Sequence, residues 1–101
     1  MKERKIASSE REIRGEWVVK QGEVQADDNC RRIEALLAEH LHLLGSDVSG
    51  WSQLYLDPDD GRYWELTYPK SELHGGGPPL LRCLTEGEAW EKYSSIIKEG
   101  M

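Results

Sequence analysis

The sequence predicts an α+β domain: an antiparallel sheet of about five strands with two helices, in the order β-β-α-β-β-β-α. Three observations predict it. Two turn signals each separate a pair of short alternating strands, an apolar run follows helical spacing, and a capping box opens a second helical segment near the end. A length of 101 residues suits one domain, and 38% hydrophobic residues suffice for a modest core. The domain is expected over residues 13–95, with a flexible arm over 1–12 before it and a tail over 96–101 after it. Ile6 is the only large apolar residue of that arm.

Ile13 to Ala26 reads as a hairpin turning at Gln21-Gly22, where Gly supplies a positive φ. A two-residue loop sets Lys20 opposite Glu23, Val19 opposite Val24 and Trp17 opposite Ala26, which matches charges and apolar groups across the strands. Asp27 or Asp28 caps a helix from Asn29 to about Leu44. Its stripe is Cys30, Ile33, Leu37, Leu41 and Leu44, and Gly45 is the expected stop. Trp51–Leu56 and Arg62–Tyr68 read as a second hairpin around the Asp57–Gly61 turn, and parity in a five-residue loop opposes Leu54 to Trp64. Leu54, Leu56, Trp64, Leu66 and Tyr68 then face the core. Trp51, Gln53, Tyr55, Tyr63 and Glu65 share the other face, which is either covered by another element or free to bind. A turn-rich loop follows, ending in Gly75-Gly76-Gly77-Pro78-Pro79, then a strand over Leu80–Leu84 and a helix opened by Thr85 and Glu88.

Thirteen basic against nineteen acidic residues give a net charge of −6, which argues against nucleic acid and anionic membranes as partners. No stretch approaches the roughly 20 apolar residues of a membrane span. Met1–Ser9 lacks the apolar region of a secretory signal, so a cytoplasmic location is expected, with Cys30 and Cys83 as reduced packing thiols. The residues favour no particular oligomeric state.

Candidate chemistry is thin. His74-Gly75-Gly76-Gly77 looks like an oxyanion-hole loop, but the nucleophile elbow that should accompany it is missing. Asp57, Asp59, Asp60 and Gly61 approach a calcium loop with the wrong spacing, and Tyr68 stands where the bidentate Glu belongs, so a solvated turn is preferred to a weak cation site. His40 and His42 point to different faces of the expected helix and do not jointly hold a zinc ion, and His40 reads as a boundary residue. No catalytic set, cofactor site or metal site is therefore expected. One alternative is a small hydrolase-like enzyme using the His74 loop with Glu65 or Glu72; another is a structural adaptor module.

The runs Asp60–Pro69 and Ser71–Pro79, with Arg14-Gly15-Glu16-Trp17 and Asp28–Ile33 upstream, resemble the immunity protein 27 family of bacterial polymorphic toxin systems over roughly residues 14–93. The resemblance implies a small cytoplasmic protein that binds and blocks a cognate toxin domain, with no enzyme activity and no cofactor. An acidic binder suits a basic toxin, for example a nuclease. On this reading the toxin contact falls on Trp51, Tyr55, Asp57, Asp59, Asp60, Tyr63, Glu65 and His74. Arg14, Gly15, Trp17, Arg62, Trp64, Gly75, Gly76 and Gly77 are structural.

Overall fold

A computed structural model describes residues 5–69 and 77–99. In chain order these form β1 (Glu12–Arg14), β2 (Trp17–Lys20), β3 (Glu23–Ala26), α1 (Asp28–Glu39), β4 (His42–Ser46), β5 (Gln53–Leu56), β6 (Tyr63–Thr67), β7 (Leu80–Leu84) and α2 (Glu86–Glu99). Five strands make an antiparallel sheet in the order β1-β7-β6-β5-β4, while β2 and β3 form a separate ribbon. The α+β class, with two helices and a five-stranded antiparallel sheet, is as expected. Its membership differs: the first hairpin stands outside the sheet, and the edges are β1 and β4, which the sequence pattern did not reveal.

The ribbon has the expected register, Lys20 to Glu23, Val19 to Val24 and Trp17 to Ala26. Gln21 and Gly22 both have positive φ, 53° and 79°, as a hairpin turn with right-handed strand twist requires. At the ribbon's base the Gly15 amide donates to the Pro79 carbonyl at 2.9 Å, and the Asp27 amide donates to the Glu16 carbonyl at 3.0 Å. A Cβ on Gly15 would stand 2.7 Å from Cys30 Sγ, so the backbone passes there only without a side chain.

Helix α1 is capped by Asp27, whose carboxylate accepts from the Cys30 amide at 2.9 Å. It stops at Glu39 rather than running to Leu44. His40 leaves the helical region, and the Leu41 amide turns back to the Leu36 carbonyl at 2.7 Å. The leucine spacing carried the expected helix too far, because Leu43 and Leu44 belong to β4, which pairs with β5 across a bulge between Leu43 and Gly45. Nor is Gly45 a helix stop. It lies under α2, where a Cβ would meet Ile96 Cδ1 at 2.8 Å.

The second hairpin is shifted by one residue from the expected register. Tyr55 opposes Trp64, Leu54 opposes Glu65 and Leu56 opposes Tyr63, so Arg62 belongs to the loop, not the strand. One residue of slip exchanges faces. Tyr55, Trp64, Leu66 and Leu81 therefore join Ile33 and Leu36 of α1 in one cluster, while Leu54 and Leu84 join Ala89 and Tyr93 of α2 in the other. The sheet is covered by a helix on each face.

Residues 5–12, expected as a flexible arm, are packed against the body. Ile6 is fully buried in the α1 cluster, and Glu12 already belongs to β1. At the other end α2 is opened by the expected capping box, in which the Thr85 amide donates to Glu88 Oε1 and the Glu88 amide to Thr85 Oγ1. It continues through Glu99 with a kink at Tyr93, and Ile96 and Ile97 pack on the core where a tail was expected. Among the described residues no helix is long and apolar enough to cross a membrane.

Candidate functional site

The residues expected to share one exposed hairpin face do not share one. Tyr55 is buried on the α1 side and Glu65 on the α2 side. Tyr63 is half-buried beside the α2 cluster, and Trp51 alone stays prominently exposed, at 70%. His74, Gly75 and Gly76, like Glu72 of the hydrolase alternative, lie outside the described residues. Gly77 is buried with φ 77°.

Glu65 is held in place. It receives the Tyr93 hydroxyl at 2.8 Å and Lys92 Nζ at 2.7 Å, with Arg82 at 3.9 Å. Burial, and then the hydrogen bond to Glu65, push the Tyr93 phenol well above the ordinary tyrosine range. The network binds α2 to β6 and β7 and lines a groove with Leu84, Glu88 and Glu91.

Arg62 is the second organising charge. Its Nε lies 2.6 Å from Asp60, its Nη1 donates to the Glu10 carbonyl at 2.6 Å and its Nη2 to the Ala7 carbonyl at 3.0 Å. Its guanidinium also sits 5.0 Å above the Trp64 ring. The Arg14 side chain makes an exposed contact with Glu12 and its carbonyl accepts from Asn29 Nδ2 at 3.1 Å, while Trp17 lines a cleft between the ribbon, Tyr68 and α1.

The acidic turn is folded inward at its first residue. Asp57 is fully buried, and its Oδ1 lies 3.0 Å from His40 Nε2 and accepts the Asp59 amide at 2.9 Å. Asp59 Oδ2 lies 3.4 Å from the same imidazole nitrogen. His40, Asp57 and Asp59 are thus the described side chains that can jointly face a cation, their donor atoms all within 4.8 Å of one another. Asp59 and Asp60 are exposed, as in the expected solvated turn, and Asp57 is not. Seventeen residues separate His40 from Asp57, and with His40 assigned to a helix face no spacing signal joined them.

Sequence reasoning also missed an apolar edge. Leu43, Leu44, Val48 and Trp51 are exposed at 56%, 39%, 110% and 70%, on edge strand β4 and the turn that leaves it. Side-chain hydrogen bonds tie that turn: Asp47 Oδ1 accepts from Ser49 Oγ at 2.7 Å and from the Gly50 amide at 2.9 Å. Since His42 pairs with Leu56 and Ser46 with Gln53, the edge runs from the Asp57 turn at one end to Trp51 at the other. Two adjacent leucines before a glycine were the available signal, and helical periodicity absorbed them.

The family model described as Immunity protein 27 matches residues 19–85. No curated protein and no solved structure matches the chain significantly. The matched stretch begins in β2 and ends at Thr85, taking in α1, the apolar edge, the His40, Asp57 and Asp59 cluster and Arg62, and the chain belongs to the immunity protein 27 family.

Proposed function

We propose that this protein binds and neutralises a cognate bacterial toxin domain in the cytoplasm of the producing cell, as a binder and not as an enzyme. The observation that carries this reading is the family match over residues 19–85. The geometry supports a binder in two ways. Glu65, the described member of the hydrolase alternative, is tied to Lys92 and Tyr93 in a structural network. The edge of the sheet, by contrast, offers Leu43, Leu44, Val48 and Trp51 as exposed apolar groups on β4 and the turn after it.

This edge, with Trp51 as its anchor, is the surface assigned to the toxin. Exposed tryptophan is the residue type most often found at the energetic centre of an interface, and an edge strand adds unpaired backbone groups. A net charge of −6 favours a basic partner, and such complementary charge accelerates encounter more than it tightens the complex.

The test is complex formation with the toxin encoded beside this protein, followed by binding kinetics. Trp51→Ala and Leu43→Arg should each speed dissociation by at least about tenfold, with the melting temperature unchanged. Wild-type association should slow as salt rises. Unchanged dissociation in both variants would move the contact elsewhere, and absence of any complex would end the toxin-binding reading.

A further inference from the structure

The turn between β5 and β6 carries more than an acidic tip. Asp57 is fully buried, and its Oδ2 has no hydrogen-bond partner among the described residues. A buried carboxylate oxygen without a donor is costly, and a folded chain rarely leaves one unanswered. Its other oxygen, Oδ1, lies 3.0 Å from His40 Nε2, which is itself 3.4 Å from Asp59 Oδ2. Atoms that share one metal ion at about 2.0–2.2 Å stand roughly 2.9–3.5 Å apart. Both separations fall in that interval.

We propose that His40, Asp57 and Asp59 form a binding site for a first-row divalent cation of the zinc type. One imidazole nitrogen with two carboxylates suits zinc, manganese or iron better than calcium, which takes six to eight oxygen ligands. Bidentate coordination by Asp57 gives the orphaned Oδ2 its partner. The burial of the three is graded, with side-chain exposures of 12% for His40, 0% for Asp57 and 36% for Asp59. The ion therefore enters past Asp59 and keeps an open position toward solvent. Its ligands join the residue after α1 to the loop between β5 and β6, so it fastens one end of edge strand β4. The rival arrangement is an imidazole whose Nε2–H is shared between the two carboxylates without any ion.

The experiment uses the full chain, free of any affinity tag, titrated with Zn2+ and followed by calorimetry and melting temperature. One Zn2+ should bind per chain and raise the melting temperature, since a ligand specific to the folded state stabilises it by mass action. His40→Gln and Asp59→Asn replace the more accessible ligands and keep the fold, and each should weaken Zn2+ binding at least about tenfold and abolish the melting shift. His42→Gln should change neither. Co2+ should give a spectrum with nitrogen and oxygen ligands and without thiolate charge transfer. The proposal is overturned if wild-type chain shows no Zn2+ binding, if both ligand variants bind as wild type does, or if Co2+ shows thiolate ligation by the cysteines.

Discussion

Arg62 Nη1 donates to the backbone carbonyl of Glu10 at 2.6 Å, joining two residues 52 positions apart. Glu10 is held from a second direction, since Arg32 reaches both of its carboxylate oxygens at 2.7 Å. One segment is thus gripped by its main chain from the β5–β6 loop and by its side chain from α1. This is why residues 5–12 pack and Ile6 reaches the core.

Arg62→Lys should destabilise the protein by about 2 kcal/mol, because a point ammonium cannot keep the fork that reaches Asp60, Glu10 and Ala7 together. Urea denaturation measures the loss. Amide exchange should rise around residues 6–11 more than in β5 or β6. Equal protection along both regions would mean that Arg62 does not clasp the N-terminal segment.

The Glu10 pair also sets an acid dependence. The hydrogen bonds from Arg32, with further help from the Ala7 amide and the charges of Arg32 and Arg62, lower its pKa from 4.5 to about 2. A carboxyl whose pKa is depressed in the folded state adds stability above its unfolded pKa and loses it as pH falls through the folded value. Between about pH 5 and pH 2 the wild type should therefore lose about 1–3 kcal/mol that Glu10→Gln never had, after allowance for solvent screening at this partly exposed pair. Parallel stability curves for the two proteins over that window would contradict the pairing.

Legibility followed the number of covered faces. The β2–β3 ribbon was read to the residue because a Gln-Gly turn, opposed charges and one apolar face all specify the same register. In β5 and β6 both faces are buried, so Leu54 and Tyr55 are equally apolar positions and alternation carries no register information. The slip of one residue then misplaced Tyr55 and Glu65. The end of α1 was lost for a related reason: Leu41 and Leu44 continue the helical spacing, although they leave it for a turn and an edge strand. Contacts such as His40 to Asp57 depend on that turn and left no local trace.

Gly15→Ala should cost about 1–3 kcal/mol, because its Cβ would stand 2.7 Å from Cys30 Sγ and 2.9 Å from the Pro79 carbonyl oxygen. Gly22→Ala meets nothing within 4 Å, so its cost is the backbone conformation alone, about 1 kcal/mol. Thermal melts of the two variants rank them. A smaller effect at Gly15 than at Gly22 would contradict the close approach of the ribbon's base to α1.

Cys30 and Cys83 are both free thiols, Cys30 buried and Cys83 partly so. Burial, then the neighbouring Asp27, push the Cys30 thiol above the ordinary range, which lowers its thiolate fraction at neutral pH. Under native conditions a thiol reagent should modify Cys30 at least about tenfold more slowly than in urea. Rapid modification of Cys30 in the folded protein, followed by mass spectrometry of its peptide, would show that α1 opens readily.

The short strand β1 pairs Glu12 with Arg82 and Ile13 with Leu81, so the first strand of the chain waits for the last. On the ribosome the ribbon and α1 emerge with their partners adjacent in sequence, but the sheet cannot close until Leu80–Leu84 has left the exit tunnel. A nascent chain stalled before that point carries Ile13 and Leu66 without Leu81 between them, and β6 with an open edge. Closure of this sheet is therefore a late step that waits for Leu80–Leu84, and a chain cut before them exposes the edge of β6 instead of keeping a shortened but working fold.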